Sequence, residues 1–216
     1  MKIDMSSMQT GSEPPGFTGE LTGQGGAIRW QVLEDPSAAG GKVIAETSRD
    51  SADYRFPMCV YEGLWAKDVE VSVRFKPVAG SVDQAGGIIV RAQDSLNYYV
   101  ARANALEDNV RFYKVVEGVR RQITGQKLKV ASGTWHTVSL KAEGDLIEVA
   151  STGHALFRSA MQHFPKPERS EFGLKLIALH IFQKSISNRI RRRRSRLGVR
   201  RMQVCAALKS VLLRSS

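Results

Sequence analysis

Residues 27–174 alternate between apolar and polar side chains with a period of two, and no other feature restricts the possible folds so strongly. In 68–76 (DVEVSVRFK), valine or phenylalanine occupies every second position from Val69 to Phe75, and the positions between them are polar or charged. Successive side chains of a strand point to opposite faces of a sheet, so this segment is predicted to be a half-buried strand. Similar reasoning predicts strands over 28–33, 42–47, 54–61, 88–91, 98–104, 110–116, 137–143 and 146–150.

The predicted strands are short, and turn-forming residues separate them, for example in 83–87, 94–97 and 144–145. This part of the chain shows no apolar stripe with the period of an amphipathic helix. Many short strands at a spacing of roughly 8–12 residues are typical of antiparallel sandwiches and barrels. The sequence therefore predicts an all-β fold with an extensive core.

The positive charge of the chain is concentrated at its C-terminal end. Of the 32 Lys and Arg residues, 12 lie in 175–216, a stretch without Asp or Glu. Subtracting these 12 leaves 20 basic residues against 21 acidic residues in 1–174, a net charge of −1. The charge therefore does not mark the body as a nucleic-acid-binding domain. We divide the chain into a flexible N-terminal segment (1–16), a β-sandwich domain (17–175) and a basic tail (176–216).

The cysteines and the N-terminal segment exclude several classes of protein. Cys59 and Cys205 have neither the clustered spacing of a thiolate metal site nor the number needed for a disulfide framework. The N-terminal segment is rich in Ser, Gly, Thr and Pro and shows no secretory signal. No apolar run approaches the roughly 18 residues of a membrane span. We expect a soluble protein, or one whose export signal is missing from this sequence, with no cofactor.

Five stretches of the sequence are similar to a known bacterial family. They are RWQVLEDPSA (29–38), ETSRDSADYRFP (46–57), DVEVSVRFKPVAGSVDQAGGIIVR (68–91), NYYVARANALEDNVRFYKVVEG (97–118) and SGTWHTVSLKAEGD (132–145). Together they resemble the single-domain proteins labelled 3-keto-disaccharide hydrolases, which are also described as family-16 glycoside-hydrolase-like. The resemblance covers about 17–174 and excludes the tail. It implies the concanavalin A-like, laminin-G-like jelly roll, an antiparallel sandwich of two curved sheets.

The resemblance also implies a function, namely the binding of a saccharide in a shallow polar trough on the concave sheet. Active members of the family cleave 3-keto-glycosides. A ketone at C3 acidifies the proton on C2, so that a base can remove it, the anomeric leaving group departs, and water then adds. This route needs a base and a stabiliser of the enolate, not the two opposed carboxylates of an ordinary glycosidase. The alternative function is a non-catalytic carbohydrate-binding or adhesion module on the same fold.

The predicted strand 98–104 and its neighbours carry polar side chains that suit a sugar ligand. Arginine forks and amides hydrogen-bond hydroxyl groups, and aromatic rings stack on the faces of sugars. The candidate substrate-binding residues are Arg91, Tyr98, Arg102, Asn104, Asn109, Arg111 and Tyr113, of which the three arginines fall on three successive strands. The alternative interpretation is an ordinary polar sheet face in contact with solvent.

Three residues are candidates for catalytic proton transfer. Glu107 and Asp108 lie in the loop 105–109 (ALEDN), where a carboxylate could act as the base or, together with carbonyl oxygens, hold a divalent cation. The simpler interpretation of this loop is a hairpin turn, since Asp and Asn stabilise turns. His136 begins a predicted strand and could move protons near neutral pH. Its simpler interpretation is an edge residue without a chemical role.

The tail has two possible interpretations. Eight of the thirteen residues in 189–201 are Arg, a composition that suits binding to nucleic acid or to an anionic surface. Alternatively, the reading frame changes near 171–176 and the rest is not native coding sequence, which the abrupt loss of acidic residues favours. In either case 176–182 could provide a substitute closing strand, and 204–213 a short amphipathic helix. For the domain itself the resemblance implies a saccharide partner and, if an export signal was lost, a periplasmic or secreted location. We expect the domain to be a monomer.

Overall fold

The computed structural model describes residues 1–50, 52–66, 68–80 and 82–161, and it gives the path of the backbone for 175–178 and 205–212. Every regular element in these residues is a β-strand. In this part of the chain there is accordingly no helix that could cross a membrane. The prediction of an all-β fold is confirmed.

The strands are numbered in their order along the chain, and short turns and loops separate the first twelve. They are β1 (Phe17–Gly23), β2 (Trp30–Glu34), β3 (Lys42–Glu46), β4 (Arg55–Trp65), β5 (Val69–Lys76), β6 (Ala85–Asp94), β7 (Asn97–Asn104), β8 (Asn109–Val116), β9 (Val119–Lys127), β10 (His136–Glu143), β11 (Leu146–Ser151), β12 (His154–Ala160), β13 (Lys175–Ala178) and β14 (Cys205–Leu212).

Two antiparallel sheets and one hairpin make up the fold. The larger sheet has seven strands in the order β1-β4-β13-β6-β7-β8-β9, and the smaller sheet has five in the order β12-β11-β10-β5-β14. Strands β2 and β3 form the separate hairpin. The two large sheets share one core of buried side chains. The architecture is the two-sheet antiparallel sandwich that the sequence predicts.

The alternating pattern builds the core between the sheets. In β5 the valines and Phe75 are buried, whereas Glu70 on the opposite face is exposed. Strands β7 and β8 turn Tyr99 and Phe112 into the same core, where the two rings stack with their centroids 5.7 Å apart. Burying a side chain of this size contributes about 1.5–3 kcal/mol. The core therefore fixes which residues of β7 and β8 face outward.

Residues 1–16, which the sequence predicts to be flexible, pack against the sandwich in the structure. Met5 is 3% exposed and belongs to the core cluster. The backbone N–H of Gly11 donates to the carbonyl of Val32 at 2.7 Å, and the N–H of Val32 donates to the carbonyl of Ser12 at 2.9 Å. This segment therefore covers the hairpin formed by β2 and β3.

Two strands come from the tail that follows the predicted domain. β13 pairs with both β4 and β6 and provides the closing strand predicted within 176–182. The helix predicted over 204–213 is wrong, because Cys205–Leu212 forms β14 beside β5. The open edge of β5 supplies hydrogen-bond partners for its backbone, whereas a short isolated helix is marginal in water. The Arg-rich segment 189–201 lies outside the described residues.

Candidate functional site

The outer face of the seven-stranded sheet, which points away from the five-stranded sheet, is concave. The hydroxyls of Thr22 on β1 and Tyr98 on β7 are hydrogen-bonded at 2.9 Å, although β4, β13 and β6 lie between these strands in the sheet. Neighbouring strands are about 4.8 Å apart, so the sheet must curve strongly to bring these two residues together. Thr22 also donates to the carbonyl of Ser95 at 2.5 Å, which closes one end of the concave face.

A concavity of about 20 Å³, roughly the space that one water molecule fills, lies in this face. Its lining residues come from four strands and are Phe56, Met58, Ile89, Tyr98, Val100, Arg102 and Arg120. Most of them are apolar, because these strands carry apolar side chains on both faces. The expected polar trough is therefore present only beside the two arginines, and the floor of the concavity is apolar.

Arg102 organises the polar end of the concavity. It is 2% exposed. Its Nη1 donates to both carboxylate oxygens of Asp83, at 3.0 and 2.9 Å, and its Nη2 donates to both oxygens of Glu107, at 3.1 Å each. The same Nη2 lies 3.2 Å from the hydroxyl of Tyr113. A guanidinium group presents its donors in a rigid fork, so it holds the two carboxylates in a fixed arrangement.

Glu107 is the carboxylate of this network that reaches solvent, with 39% of its side chain exposed. It accepts a hydrogen bond from Nδ2 of Asn109 at 2.8 Å. Nη1 of Arg111, whose side chain is 38% exposed, lies 3.3 Å from Glu107. An acceptor and a donor that are both fixed and both partly exposed therefore stand side by side at the rim.

Asn104 completes the network below the rim. It is fully buried, its Nδ2 donates to Asp83, and its Oδ1 accepts the N–H of Leu106 at 2.9 Å. The structure thus brings together six of the residues predicted from sequence, which are Arg102, Asn104, Glu107, Asn109, Arg111 and Tyr113.

The two carboxyls bound to Arg102 have pKa values shifted in opposite directions. Burial raises the pKa of Asp83, although the charge of Arg102 works against this. Partial burial also tends to raise the pKa of Glu107, but the hydrogen bond from Asn109 and the charge of Arg102 outweigh it and lower the pKa overall. Glu107 is therefore ionised near neutral pH and holds a proton weakly.

Asp108 has a structural environment in the turn between β7 and β8. It adopts a positive φ of 48°, which Asp tolerates better than most residues. Its Oδ2 accepts from Lys129 at 2.8 Å and its Oδ1 accepts from the N–H of Val130 at 3.1 Å. These bonds tie the turn to the segment after β9, in agreement with the hairpin-turn interpretation.

The structure does not bring Arg91 or His136 to this site. The register of β6 shifts between Val90 and Asp94, and Arg91 has a φ of 51°, so its side chain turns toward the other sheet. There its Nη2 donates to the carbonyl of Gly144. His136 lies on β10 in the five-stranded sheet, with its Nε2 2.9 Å from the carbonyl of Ala131. A bulge therefore separates Arg91 from the arginines on the two following strands.

Tyr98 lines the concavity but presents little of its surface. It is 2% exposed, and its hydroxyl is occupied by the hydrogen bond with Thr22. Burial raises the pKa of this phenol. Tyr98 therefore forms part of the closed end of the concavity.

Sequence reasoning missed two charged residues of the site. Asp83 lies in the loop before β6 and reads as a turn residue, yet it is 8% exposed and paired with Arg102. Arg120 lies on β9, a mostly exposed edge strand that lacks a clear alternation and was not predicted. Its guanidinium lies over the ring of Phe56 at 4.3 Å, across the concave face. The ion pair of Asp83 depends on a loop path, and the contact of Arg120 depends on sheet curvature.

One acidic spacing in the chain resembles the E-x-D-x-x-E pattern of family-16 glucanases. Glu143, Asp145 and Glu148 have this spacing. The structure places them across the turn between β10 and β11, so they do not project from one face of one strand. Among the residues that the structure describes, no group of three or more His, Cys, Asp or Glu side chains could hold a metal ion.

Comparisons with known proteins identify the type of sandwich. No family model and no curated protein matches the chain. The solved structure of the carbohydrate-binding module CBM66 from Bacillus subtilis is similar, with a TM-score of 0.53 and 20% identity over 78% of this chain and 92% of that chain. The chain has the concanavalin A-like jelly-roll fold.

Two glucanase structures also resemble the chain, at lower TM-scores. The β-glucanase of Bacillus licheniformis has a TM-score of 0.45 and 12% identity over 80% of this chain and 82% of that chain. SCLam, a non-specific endo-β-1,3(4)-glucanase of family GH16, has a TM-score of 0.43 and 14% identity over 81% and 84%. At these identities the similarity concerns the fold, and the function must be argued from the site.

Proposed function

We propose that this domain binds a saccharide at the polar end of its concave face. The observation that carries the proposal is the pairing of Glu107 and Arg111 at the rim. Neighbouring hydroxyls of a sugar ring can donate to a carboxylate and accept from a guanidinium at the same time. Because Arg102 and Asn109 hold Glu107 in place, little conformational entropy is lost when a ligand binds.

The apolar floor is consistent with this ligand. Sugar rings have apolar C–H faces as well as hydroxyl edges, and small-molecule sites typically combine an apolar lining with a few polar groups. Phe56 and Val100, which keep 9% and 8% of their surface exposed, provide a small lining of this kind. The fold shared with a carbohydrate-binding module from Bacillus subtilis is a further, weaker support.

A second candidate function is the cleavage of a 3-keto-glycoside, which the family resemblance implies. Glu107 would take the proton from C2 while the arginines stabilise the enolate, and the anomeric carbon–oxygen bond would then break. A carboxylate beside guanidinium groups in a concave site favours this candidate. The lowered pKa of Glu107 argues against it, since it makes this carboxylate a weak base.

Calorimetry with the full-length chain and a panel of neutral and acidic oligosaccharides tests the proposal. For a saccharide that binds, we expect Glu107→Gln and Arg111→Met each to weaken binding about 10-fold or more, because each removes a charge-assisted hydrogen bond. Lys141→Met, on the exposed face of the five-stranded sheet, serves as the control and should bind normally.

Two outcomes would change the assignment. Release of a monosaccharide from a 3-keto-disaccharide, abolished by Glu107→Gln, would establish the second candidate. Failure to bind any oligosaccharide of the panel, or binding that neither rim variant weakens, would contradict the proposal.

A further inference from the structure

Arg120 is a cation held in an unusual position within the concavity. Its guanidinium carbon lies 4.3 Å from the centre of the Phe56 ring and 4.6 Å from the centre of the Tyr113 ring. Contacts of this kind cover the faces of the guanidinium group and hold it in place. The N–H groups at its edge remain available, because a guanidinium donates in its own plane.

The described part of the chain supplies no ion-pair partner or hydrogen-bond acceptor for Arg120. None of its nitrogens is among the fully buried polar atoms that lack a partner, so each of them keeps some contact with solvent, and the side chain lines the concavity. Arg102, by contrast, is engaged by two carboxylates and a phenol. Arg120 is therefore the lining cation that is free to meet a ligand.

The nearby carboxylates pair with other arginines. Asp83 and Glu107 form ion pairs with Arg102 and Arg111, and neither of them lies within ion-pair distance of Arg120. Burial lowers the pKa of Arg120, and the neighbouring charge of Arg102 adds to this effect. The partly desolvated charge of Arg120 thus lies near the charge of Arg102. An anion bound between the two guanidinium groups would offset their repulsion.

A second, independent observation concerns Arg102 itself. Its Nε–H is buried and has no hydrogen-bond partner among the described residues, although the side chain lines the concavity. Buried donors are nearly always satisfied in folded proteins. An acceptor atom of a ligand would satisfy the Nε–H of Arg102 together with the N–H groups of Arg120.

We propose that the saccharide recognised here is an acidic one, whose carboxylate binds between Arg120 and Arg102 while its ring hydroxyls contact Glu107 and Arg111. This inference rests on the proposed saccharide-binding function and adds the chemical class of the ligand. A carboxylate matches the planar fork of arginine with two parallel hydrogen bonds. The hydroxyls of a neutral sugar would leave the positive charge of Arg120 without an ion-pair partner in a partly desolvated site.

The test compares two ligands that differ in one charge, a trisaccharide that contains a single galacturonic acid residue and the methyl ester of that trisaccharide. Calorimetry with the full-length chain should show the acid binding about 10- to 100-fold more tightly than the ester, the range of one charge-assisted hydrogen-bonded pair. Arg120→Met should remove this preference. Arg121→Met is the matched control, because it removes the same charge from the next residue, which is exposed on the other face of β9.

Two further ligands, a sulfated galactan trisaccharide and acetate, show whether the site prefers carboxylate to sulfate and whether the sugar contributes to binding. We expect the sulfated sugar to bind more weakly than the uronate, and acetate alone not to compete at equal concentration. A stronger preference for the sulfate would overturn the assignment to carboxylate.

Equal binding of acid and ester overturns the inference and leaves saccharide binding intact. Binding of none of the sugars removes the proposed function as well. If Arg120→Met does not fold, the salt dependence of ligand binding to the wild-type protein provides the test instead. Added salt should weaken the binding of the acid and not that of the ester, and an equal response of the two ligands overturns the inference.

Discussion

At the scale of single residues, the site depends on Arg102 and its two carboxylates. Asp83 and Glu107 accept hydrogen bonds from opposite ends of one guanidinium group, but Asp83 is buried and Glu107 reaches solvent. The environment of each carboxyl therefore shifts its pKa in its own direction. Folding stability must respond to pH in opposite ways at the two positions, because a pKa that differs between folded and unfolded chains makes stability depend on pH.

Replacing these carboxyls should change the acid sensitivity of the fold in opposite senses. The pKa of Glu107 is lower in the folded chain than its usual value of 4.5, so the ionised carboxylate stabilises the fold above about pH 4.5. This stabilisation is lost as the pH falls through the pKa of Glu107 in the folded chain. Glu107→Gln should cost about 1 kcal/mol at neutral pH and flatten the loss of stability between about pH 6 and pH 3. The raised pKa of Asp83 acts against this loss, so Asp83→Asn should make it steeper. Urea unfolding at several pH values measures both slopes, and a change of slope in the same direction for both variants, relative to the unsubstituted protein, would contradict the assignment.

At the scale of elements, the seven-stranded sheet is joined by a strand that reaches beyond the predicted domain, since β13 combines Lys175 with the first three residues of the tail. Strand β13 lies between β4 and β6 and pairs with both, whereas β14 adds to one edge of the smaller sheet. An inner strand satisfies backbone groups on both of its neighbours, and an edge strand does so on one. Loss of β13 is therefore more costly than loss of β14.

Truncation measures this difference between the two strands. A chain that ends at residue 178 keeps β13 and loses β14, and we expect it to unfold cooperatively as a monomer. A chain that ends at residue 174 leaves the edges of β4 and β6 open, and we expect it to lose a further 3 kcal/mol or so and to aggregate. Thermal unfolding followed by circular dichroism, with size-exclusion chromatography, distinguishes them. Equal midpoints and equal solubility of the two chains would show that β13 does not close the sheet.

At the scale of the whole molecule, charge and fold are separated along the chain. The sandwich is built from a nearly neutral body, and the excess of positive charge lies in 175–216. Any interaction with polyanions that depends on many charges should thus come from the tail, whereas the saccharide site that we propose lies on the concave face. We therefore expect the two kinds of binding to be separable, because they would use different parts of the sequence.

A binding measurement with duplex DNA tests this separation. The full-length chain should bind with an affinity that falls steeply as salt is added, because each neutralised phosphate releases counterions. The chain that ends at residue 178 should not bind DNA measurably, while its saccharide binding persists. Fluorescence anisotropy over a range of salt concentrations provides the measurement. Retention of DNA binding in the shortened chain would place a polyanion site on the sandwich.

The sequence by itself determined the fold class and most of the strands, because strand formation follows a local period of two that Val69 to Phe75 display directly. It also placed Arg102, Asn104 and Glu107 together, since they lie on one face of β7 or in the turn that follows it. Only the tertiary structure decided the rest of the site. The bulge at Arg91 removes one predicted residue, the loop path brings in Asp83, and the curvature of the sheet carries Arg120 across to Phe56. These contacts join residues far apart in sequence, and their existence depends on how the whole sheet bends.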